Sequence, residues 1–306
     1  MESKISVFIT SYNQKTYLIE AIESVLSQTL RPFEIIIVDD CSTDGSQKVI
    51  AGYAQVYPDL IKPYYHRRNL GIPANKRFAL EHVRGDLVTY LDGDDRYIPE
   101  KLELELEIYQ AHPEAKIVYS NYYYIDPEGQ RIGLWADSNT PPPIGYVFPQ
   151  VFGRCFPHGS LFRNELIEYQ SLKKVGFYDD DLAMYEDWEL RVRLTNHYRV
   201  AYCPEPLAEY RIHSGGVSKS PSSSHYNELR KVYEKNRFLL ESLPEADRVM
   251  IRKKLFTIFA HFAQLAAWEE AKKKNIRLGL KYWIESFKYN LKSFHHRLPV
   301  HILLPQ

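Results

Sequence analysis

Asp86-Leu87-Val88-Thr89-Tyr90-Leu91 leads directly into Asp92-Gly93-Asp94-Asp95, three carboxylates around one glycine. The apolar-leaning first half predicts a strand. If its geometry persists to Asp94, Asp92 and Asp94 leave the backbone on one side and Asp95 on the other. Carboxylates this close repel one another unless a cation sits among them, and hard oxygen donors suit Mg²⁺ or Mn²⁺ rather than zinc. The plainer reading is a polar turn closing a strand, because Asp and Gly are ordinary turn residues. Spacing alone leaves open which aspartate would touch a metal.

Working outward, Ile5 to Ile9 predicts a buried strand. Thr10-Ser11-Tyr12-Asn13 follows, and then Leu18, Ala21, Ile22, Val25 and Leu26 recur at helical spacing. Phe33 to Val38 is almost continuously apolar, as a parallel strand covered on both faces must be, and it ends in Asp39-Asp40. Cys41 to Gly45 is a turn, with Asp44 or Ser46 expected to cap a helix running to Tyr57. Ile61 to His66 predicts a third strand, Pro73 opens a helix through Val83, Pro99 starts another over Glu100 to Ala111, and Lys116 to Ile125 is a fifth strand. Strands alternating with helices imply an α/β fold with a mostly parallel, doubly wound sheet. Ligands of such sheets bind outside the carboxyl ends of the strands. Thr10 to Asn13, Asp39-Asp40 and Asp92 to Asp95 all fall at such ends, which predicts one shared nucleotide site.

Further along, Ser138 to Pro149 predicts a loop and Phe162 to Tyr169 a short helix. Another helix begins near Met184 and carries Glu186 and Asp187 in its first turn, where the helix dipole favours negative charge by ~0.3 to 1 kcal/mol. Ser214 to Ser224 is small and polar, a linker or lid. From Tyr226 the chain turns helical and rich in Lys and Arg, with Phe256, Phe259, Ala260, Ala263 and Ala267 as an apolar stripe. Lys272-Lys273-Lys274 and Lys281 to Arg297 are basic with interleaved Tyr, Trp and Phe. The stripe predicts packing on the main domain or in a homodimer; peripheral contact with an anionic membrane is the second reading. The expected division is 1–219 and 220–306.

Bulk composition narrows the partners. Among 306 residues, 39 Lys and Arg balance 39 Asp and Glu, so nothing calls for nucleic acid. Three cysteines far apart give neither a disulfide framework nor a zinc site, which suits a reducing cytoplasm. The apolar run Ile5 to Ile9 is too short for a signal peptide or a membrane span.

Six pieces in order carry a family resemblance: Ile5 to Asn13, Glu34 to Ser46, Asn69-Leu70-Gly71-Ile72, Leu91 to Asp95, Glu186-Asp187 and Tyr210-Arg211-Ile212-His213. Together they resemble the family-2 glycosyltransferases of the GT-A fold, over about residues 4 to 218. The resemblance implies a Rossmann-like GT-A sheet sandwiched by helices, with a C-terminal helical extension. It also implies an inverting, hexosyltransferase-type enzyme of polysaccharide biosynthesis. Such an enzyme would move a sugar from a UDP- or dTDP-sugar to a glycan or glycolipid acceptor with Mn²⁺ or Mg²⁺, in the cytoplasm or at the inner face of the cell membrane.

Residue by residue, the resemblance places Thr10, Tyr12 and Asn13 at the nucleotide. Asp39 would accept the N3–H of a uracil or thymine ring, and Asn69 and Gly71 would form a loop passing close to it. Lys76 stands where many members carry an arginine near the diphosphate. Asp92 and Gly93 would also face the nucleotide, Asp94 or Asp95 would hold the metal, and His213 would approach it. Asp187 matches the general base. Two rival readings are a sugar-phosphate nucleotidyltransferase, which would want a glycine in the loop after the first strand, and a non-catalytic carbohydrate-binding protein using Tyr122-Tyr123-Tyr124.

Overall fold

The computed structural model describes residues 3–137, 139–157, 160–216 and 220–292. Ser138 of the expected loop, Val217, Ser218 and Lys219 of the expected linker, and Ser293 to Arg297 of the basic segment therefore lie outside the described residues. The chain forms two compact units: Met1–Val147 with Phe156–Ser214, and Phe148–Cys155 with Gly215–Gln306.

In the first unit, β1 (Ile5–Ser11) and β2 (Glu34–Asp39) are buried at every position, which is why their sequences show no in–out alternation. Helix α1 (Lys15–Leu26) turns Leu18, Ala21, Ile22 and Val25 inward. Then come α2 (Ser46–Val56), β3 (Ile61–Tyr65), α3 (Ile72–Glu81) and β4 (Leu87–Asp92). These strands lie in the order β3-β2-β1-β4, all parallel. Thr10 pairs with Val38 on one side and Asp92 on the other, and Ser11 pairs with Asp39. Three carboxyl ends are thus level at the place where strand order reverses, the usual ligand position in such sheets.

After β4 come β5 (Arg96–Tyr97), α4 (Lys101–Ala111), β6 (Ala115–Ile125), β7 (Arg131–Leu134), β8 (Leu166–Glu168), α6 (Tyr169–Val175), α7 (Glu186–His197) and β9 (Arg199–Arg211); α5 (Phe148–Phe152) belongs to the second unit. The sheet continues β4-β8-β6-β9-β5, with β7 on β6. Its β6–β9 pairing is parallel and long, while β8 runs antiparallel to both its neighbours. The expected α/β class with a mostly parallel sheet and helical C-terminal region is the observed one.

Two local expectations are corrected. Phe162 to Tyr169 is not a helix: Ile167 pairs with Val88 and with Ile117, so this segment fills the sheet between β4 and β6, and helix starts only at Tyr169. Neither Asp44 nor Ser46 caps α2. Gly45 holds the N-cap position in the left-handed region (φ 96°), and Asp44 instead accepts from the Ser46 amide and hydroxyl, bracing the turn.

The second unit packs α5, α8 (Ser222–Asn236), α9 (Glu245–Lys272) and α10 (Ile276–Lys292). Ile251, Leu255, Phe259, Ala260, Ala263 and Ala266 form the buried face of α9. Ala266 rather than Ala267 continues the stripe, because 3.6-residue periodicity drifts over a helix of 28 residues. Among the described residues no helix is long and apolar enough to cross a membrane.

One buried charge pair in the first unit is open to direct test. Lys101 Nζ lies 2.5 Å from Glu105, both side chains at zero exposure, and also donates to the Asn164 carbonyl at 2.7 Å. Ser120 donates to the same Glu105 oxygen at 2.8 Å. Lys101→Met leaves a buried carboxylate without its cation, and urea denaturation should show a loss of ~3 to 5 kcal/mol.

Candidate active site

Where β4 ends, strand geometry does not persist to Asp94. Gly93 and Asp94 form a turn in which the Asp95 amide donates to the Asp92 carbonyl at 3.0 Å. The three carboxylates therefore separate by depth rather than by pleat. The Asp92 side chain is 27 % exposed, the Asp94 side chain 17 %, and Asp95 as a residue only 1 %. Gly93 is required by the packing of this turn: a Cβ there would lie 2.7 Å from the Thr10 carbonyl oxygen and 3.0 Å from Gln14 Oε1.

Each carboxylate has its own partner. Asp92 accepts from Thr10 Oγ1 at 3.4 Å and meets Lys76 Nζ at 3.1 Å. Asp94 Oδ2 lies 2.9 Å from His213 Nε2. Asp95 Oδ1 accepts the Arg211 amide at 2.9 Å, whereas its buried Oδ2 has no partner. Burial, and then the charge of Asp92, hold the Asp94 carboxyl above the ordinary carboxylate range against the lowering effect of His213. Asp95 is pushed well above it, first by burial and then by Asp94 and Asp92.

The rim at β2 is equally ordered. Asp39 Oδ1 accepts the Ser42 amide at 2.8 Å and Gln47 Nε2 at 2.9 Å, and Oδ2 accepts the Ser42 hydroxyl at 2.6 Å. Asp40 takes the Leu70 and Gly71 amides at 2.7 and 2.9 Å and so fixes the loop that carries Asn69, whose own Oδ1 accepts from Gly71. Gly71 sits at φ 88°, a conformation suited to glycine. Asn13 ties the loop after β1 to the loop after β2: its Oδ1 accepts the Thr43 amide at 2.8 Å and its own amide donates to Ser42 Oγ. Tyr12 beside it is 48 % exposed.

Lys76 bridges the sheet to α7. Its buried ammonium lies 3.1 Å from Asp92 and 3.2 Å from Glu186, with the Tyr90 ring centroid at 4.8 Å. Burial opposes its charge, but Asp92 and Glu186 outweigh that and raise its pKa well above the lysine norm. The chain enters α7 through Tyr185 at φ 63°, a left-handed conformation worth ~1 to 3 kcal/mol of strain in a non-glycine residue. Next to Glu186, Asp187 Oδ2 takes Arg191 Nη1 at 2.5 Å. Arg191 is itself held by Glu165 at 2.8 and 2.9 Å and donates to the Tyr90 hydroxyl at 2.8 Å. Burial works against ionising Asp187, yet the charges of Arg191, Lys76 and Arg163 hold its carboxyl well below the usual range. This turn therefore presents a fixed carboxylate.

The profile described as "Glycosyl transferase family 2" matches residues 6–170, more than half of the chain and the part that builds this rim. The chain belongs to glycosyltransferase family 2. An uncharacterized protein of Mycobacterium tuberculosis is 32% identical over 236 residues, covering 75% of this chain and 64% of its own length, so the chain spans somewhat under two thirds of that relative. The putative glycosyltransferase EpsE of Bacillus subtilis is 29% identical over 278 residues, 90% of this chain and 97% of EpsE. Among solved structures, S. aureus TarS 1-349 in complex with UDP-GlcNAc superposes with a TM-score of 0.66 at 16% identity, covering 96% of this chain and 93% of that one. Mannosyltransferase PcManGT from Pyrobaculum calidifontis, in complex with GDP-Man and Mn2+, gives 0.59 at 16% identity, covering 97% and 89%. At such identity the likeness is one of fold, and it is that of GT-A glycosyltransferases.

Against the family-2 pattern, the carboxylate turn gathers Thr10, Lys76, Asp92, Gly93, Asp94, Asp95 and His213, and Lys76 connects it to the turn holding Asp187. Asp39, Asn13, Tyr12, Asn69 and Gly71 stand at the neighbouring ends of β1 and β2. Residues not singled out in the sequence are the supports: Asp40, Glu165, Arg191, and Arg163, whose guanidinium lies 3.7 Å over the Tyr210 ring. Arg211 is another, donating to Glu20 at 2.6 Å and to the Asp94 carbonyl at 2.8 Å. Two of these carried a signal: Asp40 by its adjacency to Asp39 at a strand end, and Arg211 by its place in Tyr210-Arg211-Ile212-His213.

Gly93→Ala should cost ~1 to 3 kcal/mol through overpacking against the Thr10 carbonyl. The check is thermal unfolding, with Gly52→Ala as control, since a Cβ at Gly52 meets nothing within 4 Å.

Proposed function

We propose that this chain transfers a sugar from a UDP- or dTDP-sugar to a hydroxyl of a glycan or glycolipid, inverting the anomeric centre. One observation carries the reading: the level carboxyl ends of β1, β2 and β4 bring Asp39, Asp92 and the Asp94–His213 pair to one rim, and Lys76 ties that rim to the turn bearing Asp187.

A carboxylate offers about four lone-pair sites. Asp39 uses three, two on Oδ1 and one on Oδ2, and is itself fully buried, so the imide N–H of a pyrimidine base reaches the site left on Oδ2 only when the Ser42–Gln47 turn over it shifts. The exposed ring of Tyr12 is a stacking surface for that base. Lys76, already spent on Asp92 and Glu186, positions those carboxylates rather than binding phosphate.

Among the described residues no three His, Cys, Asp or Glu side chains form a ready metal cage. That fits Mg²⁺ or Mn²⁺, which bind through one or two protein ligands together with substrate phosphates. Asp94 and His213 are the pair suited to the ion; Asp95, buried with one oxygen committed to the Arg211 amide, supports the turn. A cation held there would neutralise charge on the departing diphosphate.

Asp187 is the general base. Its low pKa makes it a weak proton acceptor but keeps it ionised, and the Arg191 contact fixes one oxygen so that the carboxylate is aimed before the acceptor binds. As the acceptor hydroxyl attacks, its proton passes to Asp187, and direct displacement inverts the anomeric carbon.

Calorimetry with nucleoside diphosphates and Mn²⁺ should show tight binding of UDP or dTDP and much weaker binding of GDP, with the preferred nucleotide lost in Asp94→Ala; equal affinity for GDP would remove Asp39 as a base reader. Asp187→Asn should lower turnover by ~10² to 10⁴-fold. Nucleotide affinity in that variant should stay unchanged, and full turnover would dismiss Asp187 as the base.

A further inference from the structure

We propose that α10 is a docking surface for an anionic lipid bilayer, with the helix lying parallel to the membrane plane. The inference rests on the second compact unit alone and stands apart from the reading of the sugar-transfer site.

Helix α10 has three distinct faces. Its inner face packs within the unit: Ser286 donates to the Ala260 carbonyl at 2.9 Å, Tyr289 meets Phe259 with ring centroids 5.3 Å apart, and a Cβ on Gly279 would lie 3.2 Å from the Ala267 carbonyl oxygen. At 3.6 residues per turn, Ile276, Leu280, Trp283, Ile284, Phe287 and Leu291 fall together on a second, adjacent face. Every one is open to solvent: 78 %, 55 %, 51 %, 41 %, 41 % and 56 % exposed. Trp283 and Phe287 stack on each other, rings 6.2 Å apart and 12° from parallel. Arg277, Lys281 and Lys288 follow along one margin of that stripe, all exposed.

Charge decides the occupant. The sole carboxylate on this helix, Glu285, already accepts from the Tyr226 hydroxyl at 3.0 Å and from Lys288 at 2.8 Å. Arg277 and Lys281 thus border the apolar stripe with no ion pair from their own helix. The preceding turn adds Lys274, and Lys272 lies 3.4 Å over the half-exposed Trp268 ring. A stripe of Trp, Phe, Leu and Ile one helix wide, edged by Lys and Arg, matches the boundary between acyl chains and headgroups. The apolar groups reach the chains while the long basic stems keep their charges among lipid phosphates. With no spanning helix among the described residues, the contact is peripheral.

The test is co-sedimentation of the 306-residue chain with phosphatidylcholine vesicles, with and without phosphatidylglycerol. Binding should require phosphatidylglycerol and weaken with salt. Each cation near an anionic surface contributes about fivefold in partitioning, so Arg277→Glu with Lys281→Glu should reduce binding by more than tenfold. Trp283→Gln with Phe287→Gln should reduce it at least as much. Both double variants alter exposed side chains, and circular dichroism should show the wild-type helix content. Equal binding to both vesicle types, or none to either at low salt, would overturn the proposal. So would a wild-type dimer in sedimentation equilibrium that Trp283→Gln with Phe287→Gln converts to monomer, because a second copy would then be the occupant.

Discussion

The buried ammonium of Lys76 is the constraint on which the site depends. It stands between Asp92, at the end of a central strand, and Glu186, in the first turn of α7, and nearly all of it is out of water. Two carboxylates from separate elements would otherwise face each other across a medium of low effective dielectric. A lysine does this as one compact charge between two single oxygens, with no fork to satisfy. The cost of burying it is offset by both carboxylates and by the faces of Tyr90 and Tyr178. Once α7 is anchored this way, Arg191 completes the connection to β4 through the Tyr90 hydroxyl and leaves Asp187 ionised and oriented.

Much of the fold was legible because buried parallel strands and amphipathic helices leave strong periodic signals. Ile35-Ile36-Ile37-Val38 can hardly be anything but a strand covered on both faces, and its end at Asp39 is where the sheet presents polar groups. The segment Phe162 to Tyr169 misled because its pattern is short and its state is set by neighbours: Leu166 and Ile167 become strand only because β4 and β6 leave a gap that they fill. Likewise Asp92, Gly93 and Asp94 were read by strand alternation, whereas the close approach of Gly93 to the Thr10 carbonyl turns the chain there.

Most residues of the proposed site stand in the sequence as polar clusters at strand ends. Their supports do not, because support is a matter of distance in space: Arg191 lies 26 residues from Glu165, and Arg211 lies 191 residues from Glu20. In the helical unit the basic, aromatic composition was plain in the sequence. Which flank of α10 packs and which stays open follows only from where Ser286 and Tyr289 find their partners.

The most direct test of a diphosphate-sugar site at this rim is anomalous X-ray diffraction from crystals soaked with UDP and Mn²⁺. A single manganese peak in contact with Asp94, His213 and both phosphates of the nucleotide, with the uracil against Asp39, is the expected result. Nucleotide bound away from the ends of β1, β2 and β4, or manganese bound elsewhere with Asp94 and His213 still joined to each other, would contradict it.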